Sequence, residues 1–357
     1  MKIAITGHSL ISERQYYLAR ELSKTINVTN ICPKQWGNEH APIDAVGIDA
    51  KFLDPTAPNM MTYYLEQNMF SKAMSSVMPD IIYCQEETFS LYAKQCAVMA
   101  EALNYKLIYF NWENKNVELP EPLRIIEKEN LAAADLVICG NPEAADRLQK
   151  IDSDIKTKII PQTGIDMDLF KPMPEIKKPY HIGYTGRFVP EKTNIFHQFV
   201  QSHMHLEALA VGGKGDANMP VYSNYTVLPW AEYETLPKFY NMMKVFMHLP
   251  YSQINGFKEQ FVYTIGEALA CGLPVICSKN GSMPSIYGAA PNVFFVDEGE
   301  KGINQADCYV NNIIDHTYGN LKSRFGEGRQ WVKSNLSLQA IATTLIDTFE
   351  EVLNETK

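Results

Sequence analysis

Short apolar runs that stop near glycine or polar residues and hand over to stretches of helical spacing recur along this chain. That alternation restricts its architecture more than any other feature. "KIAITG" (2–7) is such a run, and in "SERQYYLARELSKT" after it Tyr16, Tyr17, Leu18 and Leu22 recur at helical spacing. The pattern continues through "DIIYC" (80–84), a helix around 89–103, "KLIYF" (106–110), a helix around 121–134 and "DLVIC" (135–139). Strands that alternate with helices imply a parallel sheet, and a parallel sheet needs helices on both faces.

"KPMPEIKKP" (171–179) breaks the rhythm with three prolines and no periodicity, as a linker does. "HIGYTGR" (181–187) then restarts it, with further strands predicted at 207–213, 244–250, 274–278 and 292–296. The predicted fold class is therefore α/β, with two Rossmann-like, doubly wound parallel-sheet domains. The expected division is 1–173 for the first domain, 174–180 for the linker, 181–335 for the second domain and 336–357 for a terminal helix. In that helix Ile341, Leu345, Thr348, Phe349 and Val352 form one stripe, which caps the fold or crosses back to the first domain. Ligands of such sheets bind outside the carboxyl ends of the strands, so the expected site is a cleft between the domains.

A length of 357 residues and a hydrophobic share of 46% allow a core in each of two domains. Seven scattered cysteines, odd in number and without metal-knuckle spacing, suit a reducing compartment and core positions. No segment reaches the roughly 20 apolar residues of a membrane span, and the start "MKIAITGHSL" carries no signal-peptide pattern. The expected location is cytoplasmic. A net charge of −9 argues against a nucleic-acid partner while leaving room for a local phosphate pocket.

Chemistry concentrates in "KEQFVYTIGEALACGLPVICS" (258–278), where a helix is predicted from Gln260 to Cys271 before a buried strand. That places Glu259 at the helix start and Glu267 with Thr264 on its polar face. Backbone N–H groups there can hold an anion, and Glu259 can accept hydrogen bonds from sugar hydroxyls. The plainer alternative has Glu259 complement the helix dipole and Glu267 face water. "GYTGRFVPEK" (183–192) presents Gly186, Arg187 and Lys192, a glycine turn with two cations that suits a diphosphate, or else a basic surface loop. Cations at one strand end and acids at another fit a nucleotide sugar. "DMD" (166–168) and "HMH" (203–205) read as structural rather than metal-binding. The Met and aromatic run 60–78 reads as a core-facing helix, with a membrane foot as its alternative.

Taken in order, these elements resemble those of GT-B fold glycosyltransferases, and specifically of glycosyltransferase family 4, whose members retain anomeric configuration. Glu259 and Glu267 match the E-x7-E element, "EALACGLPVI" the run that follows it, "YTGRFVPEK" the G-R-x-x-x-E-K loop, and "IIPQTGIDMDLFKP" the segment before the linker. The resemblance implies transfer of a sugar from a nucleoside-diphosphate sugar (UDP or GDP) to a hydroxyl of a glycan, glycolipid or small molecule. No metal and no cofactor beyond that substrate is implied. Arg187 and Lys192, with Gly186 and Thr264, would bind the donor diphosphate; Glu259 would face the sugar as a catalytic residue and Glu267 the ribose. Gly7, His8, Asn111 and Trp112 are the acceptor-side candidates. The loop "YFNWENKN" (109–116) lacks the histidine often found there, and Glu113 is the carboxylate expected to act in its place. Gln260 and Val262 stand where the family has glycines, and Ser285 where it commonly has Glu. Other readings are an inert nucleotide-sugar-binding partner subunit and a nucleotide-sugar epimerase of the same fold. An NAD-dependent oxidoreductase is weaker, because no G-x-G-x-x-G follows the first strand. Peripheral membrane contact is allowed, and oligomeric state stays open.

Overall fold

In the computed structural model, which describes residues 1–41, 49–57, 59–213, 215, 218–316 and 322–355, the chain divides into two units. The first comprises Met1–Gly164 with Leu338–Lys357, the second Ile165–Ser337.

The first unit holds β1 (Lys2–Thr6), β2 (Asn27–Pro33), a hairpin of β3 (Gln35–Trp36) and β4 (Glu39–His40), β5 (Asp49–Leu53), β6 (Ile81–Cys84), β7 (Lys106–Asn111), β8 (Leu136–Cys139) and β9 (Thr157–Ile159). Apart from the hairpin these make one sheet in the order β5-β2-β1-β6-β7-β8-β9. Every pairing in it is parallel. The chain winds outward from β1 through β2 to β5, then crosses to β6 and winds the other way. The loops that leave β1 and β6 thus flank the switch point of the sheet, the place where such folds bind ligands.

Side chains of a strand alternate between faces, so each strand feeds two cores. Ile3 and Ile5 pack with Leu18 and Leu22 on one face, while Ala4 and Ile82 pack with Phe70 and Tyr92 on the other. The terminal helix Leu338–Asn354 belongs to the first of these cores through Ile341, Leu345, Phe349 and Val352. Phe349 meets the ring of Tyr83 edge-on, with 5.5 Å between centroids. Helix Gln67–Val77 buries Phe70, Ala73 and Met74, while Met60, Met61, Tyr64, Met69 and Met78 around it are exposed.

The second unit holds β10 (Tyr180–Arg187), β11 (Ala208–Gly213), β12 (Tyr225–Leu228), β13 (Met243–His248), β14 (Val275–Ser278) and β15 (Val293–Val296). Their order is β12-β11-β10-β13-β14-β15, again all parallel. The unit opens at Ile165, whose N–H bonds Leu336 O at 2.7 Å. Arg329 fixes the residues that follow by donating to the carbonyls of Met167, Phe170 and Ala270. The proline-rich stretch 171–179 is tied down within this unit: Met173 N–H bonds Asn241 Oδ1 and Lys178 Nζ bonds Met243 O. Among the described residues no helix is long and apolar enough to cross a membrane.

Candidate functional site

The helix expected from Gln260 starts only at Tyr263 and runs to Ala270. Val262, its N-cap, is extended, and the residues before it are held away from helical geometry by the loop after β14. Asn280, buried there, accepts the Glu259 N–H at 2.8 Å and donates to Phe257 O at 3.2 Å, while Ser282 N–H bonds Glu259 O at 3.0 Å. Glu259 is therefore positioned by a loop clamp and not by the helix start.

Its side chain points inward, only 3% exposed. Lys192, in the first turn of helix Pro190–Ser202, brings Nζ to 2.9 Å from Oε1 and 3.1 Å from Oε2. His248, the last residue of β13, brings Nε2 to 2.8 Å from Oε1. Because a carboxylate oxygen accepts, Nε2 is the donating nitrogen; His248 Nδ1 is buried with no hydrogen-bond partner among the described residues. Burial alone would push the Glu259 carboxyl up, but the Lys192 charge and the His248 hydrogen bond outweigh it and hold it down at about 2. Tyr184 stacks on the His248 ring at 6.0 Å and Lys192 lies over the Phe257 ring at 5.2 Å. The second unit thus presents an ionised, buried carboxylate gripped by a lysine and a histidine.

Glu267 does not face water. It is fully buried and accepts the Tyr240 hydroxyl at 2.7 Å; that oxygen in turn lies 2.6 Å from Thr185 Oγ1 on β10. The alternative in which Glu267 faces water therefore fails. Thr264 is half-buried on the first helical turn, Arg187 is exposed at the end of β10, and Gly186 precedes it. Asp166 Oδ1 caps its own turn by accepting the N–H groups of Asp168 and Leu169. His203 pairs with Asp307 and Phe199 O.

In the first unit the acceptor-side candidates separate. Asn111 is fully buried inside β7, where its Oδ1 lies 3.4 Å from both Thr88 N and Thr88 Oγ1, so it anchors a loop. Trp112 packs its ring on Gly140, where any Cβ would lie 2.0 Å from the indole, and its Nε1–H bonds Gln162 Oε1 at 3.2 Å. Glu113 Oε1 accepts the Lys115 N–H at 2.9 Å, a local turn. Gly7 and His8 stand at the switch point, where His8 Nδ1 lies 2.6 Å from Glu86 Oε1.

Sequence reasoning missed Glu86, Glu87, Tyr240 and His248. The signal for the first two was available in "CQEETF", two acids immediately after a buried strand. Glu87 receives the N–H groups of Trp112 at 2.9 Å and Glu113 at 3.4 Å. Burial raises its carboxyl to about 8, with the Glu113 charge adding to the rise and the Trp112 N–H opposing it.

Residues 217–326, which include Glu259 and Glu267, match the family model described as Glycosyl transferases group 1. No curated protein matches the chain. Among solved structures, the chain resembles HepE (Alr3699) of Anabaena in complex with UDP and glucose, at 15% identity over 98% of this chain and 100% of that one, TM-score 0.76. A glycosyltransferase from Rickettsia africae aligns at 16% identity over 99% of both chains, TM-score 0.76. The sucrose-phosphate synthase of Thermosynechococcus elongatus aligns at 17% identity over 99% of both, TM-score 0.73. At these identities the likeness is one of architecture, and it establishes that the chain has the GT-B fold, built from two Rossmann-like units.

Proposed function

We propose that this protein is a glycosyltransferase that moves a sugar from a nucleoside-diphosphate sugar to an acceptor hydroxyl. The observation that carries the reading is the buried Lys192–Glu259–His248 cluster. A lysine beside a carboxylate at one end of a parallel sheet, the carboxylate lying inside the segment that matches glycosyl transferases group 1, supplies a cation for phosphate and an acceptor for sugar hydroxyls. The Anabaena relative, solved with UDP and glucose, supports the same donor class.

In this reading Lys192 and Arg187, with Gly186 and Thr264, neutralise the departing diphosphate. Glu259 orients the sugar, and Glu267, backed by Tyr240, serves the ribose. Transfer proceeds with retention, without a metal ion and within family 4; the acceptor is a sugar, glycan or lipid-linked hydroxyl, and the location is cytoplasmic. An inert partner subunit would have no use for a buried ion pair of this kind, which costs desolvation energy to maintain.

The test is direct. Incubation with UDP-glucose, UDP-N-acetylglucosamine, UDP-galactose and GDP-mannose should release nucleoside diphosphate from at least one of them. Turnover should survive EDTA, and the anomeric signal of the product should match that of the donor. Absence of both turnover and thermal stabilisation with all four would overturn the reading.

A further inference from the structure

We propose that the cavity at the amino end of the second unit's sheet binds a small organic anion, a carboxylate or phosphate monoester that carries an apolar body. The cavity has a volume of about 420 Å³ and lies entirely within the second unit. It is lined by Lys178 shortly before β10, Lys244 at the second position of β13, Pro274 just before β14 and Arg329 on helix Lys322–Asn335. Glu259 is held at the other end of the same sheet, by His248 at the last position of β13. The cavity is thus separate from the cluster around Glu259.

Its charge is one-sided. The lining includes three cations, Lys178, Lys244 and Arg329, and no carboxylate, in a chain whose net charge is −9. Among the described residues the partners of Lys178 and Arg329 are carbonyl oxygens. Lys178 Nζ donates to Met243 O at 2.8 Å, and Arg329 donates to Phe170 O and Ala270 O at 2.6 Å and to Met167 O at 2.9 Å. A carbonyl accepts a hydrogen bond without cancelling a charge, so these half-buried cations stay positive where water solvates them only in part. The Cys271 thiol in the same lining does not offset them, because burial raises it and leaves it uncharged. Asp168 acts on Arg329 from outside the lining. Burial pulls the Lys178 ammonium down to about 8, as expected of a cation short of compensation.

The walls between the cations are largely hydrocarbon. Pro172, Pro174, Ile176 and Pro274 supply them, and the fixed φ of the prolines leaves little freedom to lose when a ligand is bound. Asn241, the amide in the lining, is fully used: its Oδ1 accepts the Met173 N–H at 2.8 Å and its Nδ2 donates to Lys171 O and Pro237 O at 2.9 Å each. The charged groups are therefore what the cavity offers a polar ligand. Its volume falls within the range of small-molecule sites, roughly 300–1,000 Å³. A bare inorganic anion would leave the apolar wall uncovered, and a neutral molecule would leave the cations uncompensated.

Binding should be linked to protonation. Lys178 shares the cavity with Lys244 of β13, Cys271 after helix Tyr263–Ala270 and Arg329 of helix Lys322–Asn335. Held at about 8, Lys178 is only partly charged at pH 8. An anion beside it favours the ammonium form, so binding at that pH takes up a proton and affinity falls as pH rises through 8.

The experiment is calorimetric titration of the full chain with benzoate, phenyl phosphate, inorganic phosphate and benzyl alcohol, in wild type, Lys178→Met, Lys244→Met and Arg187→Ala. Benzoate or phenyl phosphate should bind more tightly than inorganic phosphate and benzyl alcohol, and the preference between the two tells a carboxylate ligand from a phosphate ester. Each lysine variant should weaken that binding about tenfold or more, the scale of one charge-assisted hydrogen bond, while Arg187→Ala, at the other end of the sheet, keeps it. Titration at pH 8 in two buffers of different ionisation enthalpy should show proton uptake in wild type and none in Lys178→Met. If Lys178→Met lowers Tm, Lys244→Met decides alone: a loss of affinity supports the site and an unchanged affinity overturns it. The proposal is also overturned if neither organic anion binds, if inorganic phosphate binds as tightly as both, if wild type takes up no proton at pH 8, or if the affinity is lost in Arg187→Ala and kept in the lysine variants.

Discussion

Lys192 donates toward both oxygens of Glu259, so part of its charge is matched before any phosphate arrives. Arg187 stands exposed, free of that burial. The two cations should therefore respond differently to truncation. Arg187→Ala should weaken nucleoside-diphosphate binding by about 1.5–3 kcal/mol, the scale of a charge-assisted hydrogen bond, and leave the melting temperature unchanged. Lys192→Ala should weaken binding on the same scale and also destabilise the fold by about 3–5 kcal/mol, because it strands a buried carboxylate. Calorimetry with UDP and denaturant melts of both variants would check this; equal stability of the two would remove Lys192 from the buried pair. Protonation separates two other acids. Glu259, held at about 2, contributes stability that is present above its unfolded value near 4.5 and is lost as pH falls toward 2. Glu87, raised to about 8, works in the opposite sense: its stabilisation is complete below about 4.5 and is lost as pH rises through 8. Glu87→Gln should accordingly gain in Tm relative to wild type between pH 5 and pH 9, and a difference in Tm that does not change with pH would refute the assignment.

At the scale of elements, the loop after β14 does for Glu259 what the sequence assigned to a helix start. Gly281, at φ +53°, lies so close to the clamped segment that a Cβ would sit 2.1 Å from Glu259 O and 2.6 Å from Glu259 N. Gly281→Ala should push the 257–262 segment off Asn280 and misplace the carboxylate, lowering turnover and Tm together. Alanine at Gly256, also at positive φ but with nothing within 4 Å, should cost only backbone strain. If Gly281→Ala kept wild-type turnover, the clamp would not be what positions Glu259. The acids themselves were legible, because Glu259 and Glu267 precede and occupy an apolar helix that runs into the strand "PVICS". Their surroundings were not. His248 ends a largely apolar strand and Tyr240 sits in helix Leu236–Asn241, and only tertiary packing brings them to the carboxylates. The helix boundary was misplaced for the same reason: Gln260 and Phe261 carry no local signal that Asn280 will hold their neighbour extended.

On the scale of the whole molecule, both parallel sheets were legible wherever a strand is buried on two faces and reads as Ile, Val, Leu and aromatic residues, as in β6 and β8. β2 escaped because "NVTNICP" carries Thr29 and Asn30 at buried positions, where Thr29 Oγ1 bonds Asp49 Oδ2 at 2.6 Å. β9, three residues long at the sheet edge with Ile159 exposed, has no apolar run at all. The terminal helix showed its stripe but not its destination, since the pattern that makes a helix amphipathic does not name the surface it covers. Its destination is the first unit, although the chain reaches it only after the second is complete. Ile341, Leu345, Phe349 and Val352 lie at most 5% exposed in one core with Leu18, Leu22 and Ile138. The ion pairs Lys156–Glu355 and Lys158–Glu351 are solvent-exposed and contribute little. At about 1.5–3 kcal/mol for each large apolar side chain withdrawn from water, these four residues represent about 6–12 kcal/mol of burial, comparable with the whole stability of an ordinary domain. Ending the chain after Ser337 should therefore unfold or strongly destabilise the first unit while sparing the second, whose core draws on none of these residues. Scanning calorimetry of the truncated protein should show one early or missing transition and one retained. Reading hydrogen exchange by segment should place the lost protection in β1, β6 and helix Glu13–Ser23, and the retained protection in β10 and β13. Uniform loss across both units would mean that they fold as one cooperative body, and unchanged protection in β1 would mean that the terminal helix is dispensable to the core it covers.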